Sequence, residues 1–303
     1  MIELAQSDKA RAKPHGLANA EWPFLRWAGG KRWLLPHLKP IADALRYRLY
    51  IEPFLGGGAI FFGLQPKRAL LADVNAELIA TYAAVRDFPD LVLAGLKHLS
   101  VDEDTYKKLR KNRPSDRLGR ATRMIYLNRT GFSGIYRVNR KGEYNVPYGG
   151  GDRTPNFLWE SGILLRASKR LEAARFVGWD FERTMKHARS GSLVYCDPTY
   201  TALASGDMFR RYHHAVFGWE DQERLHKAAA EAHKRGAVVI VSNADLPEVR
   251  SLYNGHVGKV VDRRSTVSRI ATRRQNTTEL VVVMAQPRAK ARLLASNLGL
   301  ERL

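Results

Sequence analysis

The chain has 303 residues, with 50 Lys and Arg against 30 Asp and Glu, 45% apolar residues and a single cysteine. That length suits one large domain or two modest ones, and the apolar share is that of a globular protein, which excludes intrinsic disorder for most of it. Cys196 alone permits neither an internal disulfide framework nor a cysteine-based zinc site, so a reducing, cytoplasmic compartment is expected. No apolar run approaches the roughly 18 residues of a spanning helix. The opening MIELAQSDKARAKPHG also lacks the apolar core of a signal peptide, and no membrane association is expected.

The formal net charge of +20 is the first functional clue, because such an excess repels itself unless a polyanion offsets it. Its distribution is uneven. Lys107 to Lys141 holds twelve Lys or Arg against one acid, Asp116, with Tyr126, Phe132 and Tyr136 interspersed; Lys259 to Arg274 holds six against Asp262. Two basic blocks so far apart in the chain suggest two walls of one groove in which phosphates are neutralised and counterions released. A general solubility bias is the competing explanation of charge alone.

In chain order, residues 1–20 are polar, contain Pro14 and Gly16 and read as a flexible tail, with order beginning near Trp22. LYIEPF (49–54) reads as a strand running into Gly56-Gly57-Gly58, with a buried helix start in AIFFGL; ALLADVN (69–75) is a second strand, followed by a helix over 76–85. Together they make a β-α-β unit. From about 87 to 173 the pattern changes to helices with charged faces, interrupted by TGFSGIYRVNRKGEYNVPYGGG, in which IYRVN and EYNVPY flank a hairpin turn at Arg140-Lys141-Gly142. Strand-like runs then return at 175–181, 192–200, 237–245, 256–264 and 279–285. A helix over 219–234 separates the second and third of these and is stopped by Gly236. The stretch 287–303 reads as a peripheral basic tail. The expected fold is therefore α/β: a Rossmann-like sheet formed by 21–86 and 174–286, with an inserted, mainly helical unit carrying a β-hairpin over 87–173.

A glycine turn between a buried strand and a helix lets backbone approach a ligand, and an acid ending the next strand can hold ribose hydroxyls. Gly56, Gly58 and Asp73 fit that arrangement, although Phe61 stands where a third glycine completes the dinucleotide fingerprint. Gly29-Gly30-Lys31 is no phosphate loop, because Leu25 stands where the loop begins with glycine and Arg32 where it needs Ser or Thr. The sharper motif is Asp197-Pro198-Thr199-Tyr200 after the apolar strand LVYC. The exocyclic amine of adenine is a poor nucleophile that must be held and polarised; a carboxylate and a backbone carbonyl can accept both of its hydrogens and turn its lone pair toward an electrophilic methyl group. Tyr200 would stack on the base, and a base inside a duplex reaches such a pocket only by flipping. Taken alone, the tetrapeptide reads first as a tight Asp-Pro turn capping a helix.

The motifs occur together. FLRWAGGK (24–31), EPFLGGGAIF (52–61), LLADVNAELI (70–79), YLNRTGFSGIYRVNRKGEYNVPYG (126–149), VYCDPTY (194–200), VIVSNAD (239–245), and RRS followed by TELVVV (263–265, 278–283) appear in one order. In that order the chain resembles the Dam-type DNA adenine methyltransferases. The resemblance implies S-adenosylmethionine as methyl donor and double-stranded DNA as partner, with no obligatory protein partner and a monomer sufficing. Trp27, Gly29, Lys31, Phe54, Gly56, Gly58, Asp73 and Asp197 match the family's donor-site motifs, and Asp180 and Phe181 would border the donor's adenine. The insertion would be the target-recognition region. Within it Phe132 matches an aromatic that wedges into DNA and Arg137 an arginine that reads guanine, a bidentate contact suited to the major groove; Arg26, Arg129, Ser133, Asn139 and Pro147 occupy neighbouring DNA-facing positions.

Two departures stand out. The usual DPPY is DPTY here, where Thr199 brings an N–H and a looser backbone in place of rigid proline. Ser133 replaces the Asn of better-known members, which makes a GATC recognition site a weak expectation. The activity expected is adenine-specific DNA methylation; the alternative is a homologue impaired through Thr199 that occupies DNA sites without methylating, and methylation of the cytosine amine ranks below both. His213-His214, His226 and His233 show no metal-ligand spacing, and no metal is assigned.

Overall fold

The computed structural model describes residues 23–150, 161–199, 217–264 and 276–303. The N-terminal tail, Tyr200 and the stretch 201–216, for which a closing motion over the site is an expectation, lie outside the described residues, as does Ser265 of the RRS block.

Eight strands form one sheet in the order β3-β2-β1-β4-β5-β7-β6-β8. They are β1 (Leu49–Glu52), β2 (Ala69–Ala72), β3 (Ala174–Val177), β4 (Ser192–Cys196), β5 (Val238–Ala244), β6 (Val257–Arg264), β7 (Asn276–Met284) and β8 (Glu301–Arg302). The first five run parallel, and β7 is antiparallel to both β5 and β6. The chain lays down β1, β2 and β3 outward in one direction, then returns to place β4 on the other side of β1. This reversal opens a crevice at the C-terminal ends of β1 and β4, the position where open α/β sheets bind ligands. All five expected late strands form, each within a residue or two of its expected start except β7, which begins three residues early.

Every residue of β2 and β4 is buried, as a parallel sheet covered on both faces requires. Side chains alternate between two apolar clusters: Tyr50, Leu193, Tyr195, Ile240, Val281 and Val283 enter one, and Ile51, Val194, Cys196, Val241 and Val282 the other. The first cluster is covered by α1 (Leu35–Ala44), α2 (Ala59–Leu64) and α3 (Ala76–Asp87); the second by α8 (Phe181–Met185), α9 (Trp219–Lys234) and α10 (Pro247–Leu252). α1 is absent from the sequence reading. Its buried Leu35, Leu38, Ile41 and Ala42 have helical spacing, but Pro36 and Pro40 disguise it. Residues 287–303 are more than a loose tail: α11 (Pro287–Ala295) buries Leu293, and β8 pairs with β6.

The inserted stretch supplies α4 (Pro89–Lys97), α5 (Glu103–Lys111), α6 (Arg117–Thr130) and α7 (Ser161–Leu171). Asp102 and Asp116 cap α5 and α6, accepting the amides of Thr105 and Gly119. α6 packs on α3, α4 and α5, and α7 on α3 and α4, so these helices share the first cluster. Part of the basic block is spent inside this packing. Arg123 is buried and donates to the carbonyls of Leu109 and Arg110 at 2.6 and 3.0 Å, and Arg117 pairs with Asp87 at 2.6 Å. After α6 the expected hairpin is reduced to isolated bridges, Val138 with Tyr144 and Gly131 with Tyr148, around a turn in which Gly142 adopts φ +75°.

Asn128 of α6 joins the insertion to the N-terminal segment. It is fully buried, accepts the Arg26 amide at 2.8 Å and donates to the carbonyls of Arg26 and Gly134 at 2.6 and 3.2 Å. Asn128→Ala strands three backbone groups without partners. A loss of about 2–3 kcal/mol is expected, read from the urea unfolding midpoint.

Candidate active site

At the C-terminal ends of β1, β2 and β4 the sheet opens into a cavity of about 700 Å³, within the usual range for small-molecule sites. Its lining includes Trp27, Gly29, Lys31, Glu52, Phe54, Gly56, Gly58, Asp73, Asp180, Phe181, Asp197, Pro198 and Thr199. All the expected donor-site residues therefore face one space, as do three of the four residues of the Asp197 motif.

The glycine loop is held by specific contacts. Asp73 accepts the amides of Gly56 at 3.0 Å and Asn75 at 2.9 Å, and the Tyr82 hydroxyl donates to the Gly56 carbonyl at 3.0 Å. Burial raises the Asp73 pKa against the pull of those two amides. The Trp27 indole lies across the loop, and a Cβ added at Gly56 would meet it at 2.8 Å; Gly56 also adopts φ +46°. Trp27 also stacks on Tyr136 of the insertion, with ring centroids 5.6 Å apart. One indole thus bridges the glycine loop and the hairpin region. The turn behind it is closed by the Gly30 amide donating to the Trp27 carbonyl, with Gly29 at φ +81°.

The polar centre is built on a single face of the sheet. Tyr50, Glu52, Tyr195, Ser242 and Glu279 share the alternation that places their neighbours in the first cluster. Asp197 continues β4 beyond Cys196. Lys31 is 3% exposed and its Nζ lies 2.7 Å from Glu279 Oε1 and 3.2 Å from Asp197 Oδ1. Ser242 donates to Asp197 Oδ1 at 3.3 Å and shares a 2.8 Å hydrogen bond with the Tyr195 hydroxyl. Asp197 keeps one open side, toward the cavity. Burial raises its pKa to about 6; the Lys31 ammonium draws it down, and Glu279 pushes it up. Glu52, buried in the wall, accepts the Tyr50 hydroxyl at 2.9 Å, and burial holds its carboxyl well above the ordinary carboxylate range.

The opposite end of the cavity is aromatic. Phe54 and Phe181 stack at 5.4 Å, and Phe217 meets both rings. Asp180 caps α8 through the Glu182 amide. Arg224 lies over Phe181, 5.0 Å from its centroid, and reaches Glu182, Asp221 and Asp180 at 2.8, 2.7 and 3.7 Å.

The expected DNA-facing residues gather on the hairpin region beside Trp27. Phe132 and Ser133 are exposed on a tight turn, where Ser133 adopts φ +54°, a conformation that asparagine tolerates better than serine. Gly134 is packed against Arg26, and any side chain there would collide with it. Arg137 is exposed, with Nε donating to Asn145 Oδ1 at 2.8 Å and Nη2 to the Asn145 carbonyl at 3.3 Å. Asn139 is committed to the turn: its Oδ1 accepts the amides of Lys141 and Glu143, and its Nδ2 donates to Glu143. Pro147 is exposed, its carbonyl accepting the Phe132 amide and the Tyr106 hydroxyl. Arg129 is half-buried near the end of α6.

Sequence reasoning passed over Glu279, Glu52, Ser242 and Asn128. The signal for the first two was present: each is the single charge in an otherwise apolar strand, LVVV following Glu279 and LYI preceding Glu52. A carboxylate buried there requires a partner or a proton. Ser242 and Asn128 carry no comparable mark.

A sheet reversing at β1 and β4, a glycine loop held by the acid of the next strand and a buried Asp-Pro at the end of β4 define a Rossmann-like fold of the S-adenosylmethionine-dependent methyltransferase type. Residues 27–267 match the family model of the D12 class N6 adenine-specific DNA methyltransferases, and the chain belongs to that family. It is 33% identical to the type II methyltransferase M1.LlaDCHI of Lactococcus lactis subsp. cremoris, over 86% of this chain and 94% of that protein. It is 34% identical to a DNA adenine methylase of Vibrio cholerae, over 86% and 95%, and 34% identical to the type II methyltransferase M.MjaIII of Methanocaldococcus jannaschii, over 86% and 98%. Among the described residues no helix is long and apolar enough to cross a membrane.

Proposed function

We propose that this enzyme transfers a methyl group from S-adenosylmethionine to the exocyclic amine of an adenine flipped out of double-stranded DNA, at GATC or a related short site. The observation that carries the reading is Asp197: a carboxylate at the end of β4, open only toward the cavity and tied to a buried ammonium. The cavity suits the donor chemically. The Phe54–Phe181 stack offers a flat apolar seat for a purine, Asp73 and Asp180 offer carboxylates for hydroxyls, and the glycine loop exposes backbone. When bound, the donor supplies an electrophilic methyl group on a sulfonium centre.

The chain's own residues do the rest. The Asp197 carboxylate and the Pro198 carbonyl accept the two amine hydrogens and so direct the nitrogen lone pair into the cavity, which is catalysis by orientation and electrostatics. Lys31 holds the Asp197 carboxylate in place, and Glu279 holds Lys31. Tyr200 stacks on the extruded base. Phe132, exposed at the tip of its turn, fills the gap left in the duplex, and Arg137 reads a guanine with the end of its guanidinium that Asn145 leaves free. One flipped base needs one pocket, so a monomer suffices. Thr199 is exposed at the cavity and leaves the Asp197 and Pro198 acceptors intact, which favours activity over the silent, site-occupying alternative.

Incubating the protein with unmethylated genomic DNA and S-adenosylmethionine, then mapping modified bases at single-base resolution, tests this directly. Methyladenine in one short motif is the expected result, and Asp197→Ala should abolish it while the protein stays folded by circular dichroism. No modification despite intact donor and DNA binding would establish the silent binder instead.

The pH profile tests the polar centre. The ionised carboxylate is the stronger acceptor and the form that stabilises positive charge developing on the amine, so the rate should fall about tenfold per pH unit once the pH drops below the Asp197 value of about 6. Lys31→Met removes the influence that lowers this value and should move the acid limb to higher pH. Glu279→Gln removes one that raises it and should move the limb the other way. A limb unmoved by both variants would show that Asp197 is not the titrating group.

Arg137→Ala should weaken discrimination at one base pair by about 1–3 kcal/mol, measured as kcat/KM on duplexes altered one position at a time. An equal loss on every sequence would reduce Arg137 to a phosphate contact.

A further inference from the structure

The parallel strands end at the cavity and therefore begin at the opposite pole of the sheet, where the chemistry is different. Arg48, just before β1, donates its amide to the Gly191 carbonyl at 2.8 Å. The carbonyl of Arg68, before β2, accepts the Tyr50 amide, and that of Arg189 accepts the Ser192 amide where β4 starts. Between the strand starts lies a crevice of about 160 Å³ lined by Arg46 and Arg292 together with Gly191, Ser192 and Gly236. Arg46, Arg48, Arg68, Arg189 and Arg292 are all exposed. None of them belongs to an ion pair among the described residues. Asp43, in the last turn of α1, is engaged by Lys39 at 3.1 Å, and no acid among the described residues lines the crevice.

This pole is remote from the chemistry. Ser192 lines the crevice and Asp197 the cavity, and the five residues of β4 between them span about 17 Å at roughly 3.3 Å per residue. A duplex presenting a base to the cavity lies beyond the other end of the strands. Uncompensated like charges on one face repel one another unless a polyanion covers them, and the enzyme's family works on one, DNA.

We propose that the N-terminal pole of the sheet is a second docking surface for the backbone of duplex DNA, so that one molecule holds two DNA segments, one at the cavity and one behind it. The proposal rests on the DNA-modifying reading but on no particular base or recognition site. Charge complementarity selects the occupant: the guanidinium groups are spread across the strand starts, where a run of backbone phosphates can meet several of them at once.

The test immobilises one short duplex, loads it with protein and measures capture of a second, labelled duplex, while methylation of a single short duplex is followed in parallel. The full chain should capture the second duplex with a steep salt dependence. Arg46→Glu/Arg68→Glu/Arg189→Glu should lose capture by about tenfold or more at low salt while methylating the single duplex at the original rate. The neutral set Arg46→Gln/Arg68→Gln/Arg189→Gln should show a smaller loss, which guards against a charge-reversed protein that folds poorly. Absence of capture by the unaltered chain would overturn the proposal. So would full capture by both folded variant sets, capture only by protein dimers in sedimentation, or a preference of this face for phosphatidylglycerol vesicles over duplex. Because capture needs no turnover, it can fail while methylation succeeds, and the reverse.

Discussion

The site depends on a buried ammonium. Lys31 sits almost without solvent between two carboxylates that belong to antiparallel and parallel halves of the same sheet, Glu279 on β7 and Asp197 after β4. A lone charge in such a place costs several kcal/mol, and the arrangement is tolerable only because all three groups constrain one another. The consequence is positional. The N-terminal segment, the end of β4 and the middle of β7 cannot shift independently, so the carboxylate that faces the cavity is fixed by parts of the chain separated by more than two hundred residues. Burial keeps the Asp197 carboxyl at a pKa of about 6, with the Lys31 ammonium opposing the rise and Glu279 adding to it.

A second constraint is mechanical. Asn128 binds the backbone of the Arg26 segment and of the loop at Gly134 with its single amide, and Trp27, one residue further on, covers the glycine loop. Helix α6 thereby sets where the turn carrying Phe132 lies relative to the cavity. The insertion is built as an extension of the first apolar cluster, with α6 and α7 lying on α3, and its geometry relative to the sheet follows from ordinary core packing.

Much of this was legible in the sequence, for identifiable reasons. The strands of a doubly covered sheet carry short apolar runs, and LVYC of β4, VVIV of β5 and LVVVM of β7 announced themselves as such; the glycine loop and the Asp197 motif sit at strand ends, where pattern and chemistry coincide. Other features were hidden because their cause is tertiary. α1 carries two prolines that a local reading counts against a helix, and β8 is two residues long and exists only because β6 offers a free edge. Asn139, expected among the DNA-facing residues, closes a turn, and Arg123, counted in a basic block, is buried; neither commitment is visible without the partner groups. Glu279 shows the reverse: its oddity was on the page as one acid in an apolar strand, but its meaning required Lys31, which lies far away in the chain.

The stack of Trp27 on Tyr136 has an energetic corollary. The indole touches both the loop beside the cavity and the region that carries Phe132 and Arg137, so under the proposed function the two ligand sites share a wall. Where occupancy of one site biases the placement of a shared wall, linkage requires that occupancy of the other be biased by the same factor. Under the proposed function, a change near Phe132 or Arg137 that shifts this shared wall also shifts the affinity of the cavity for its ligand, so the two equilibria are altered together.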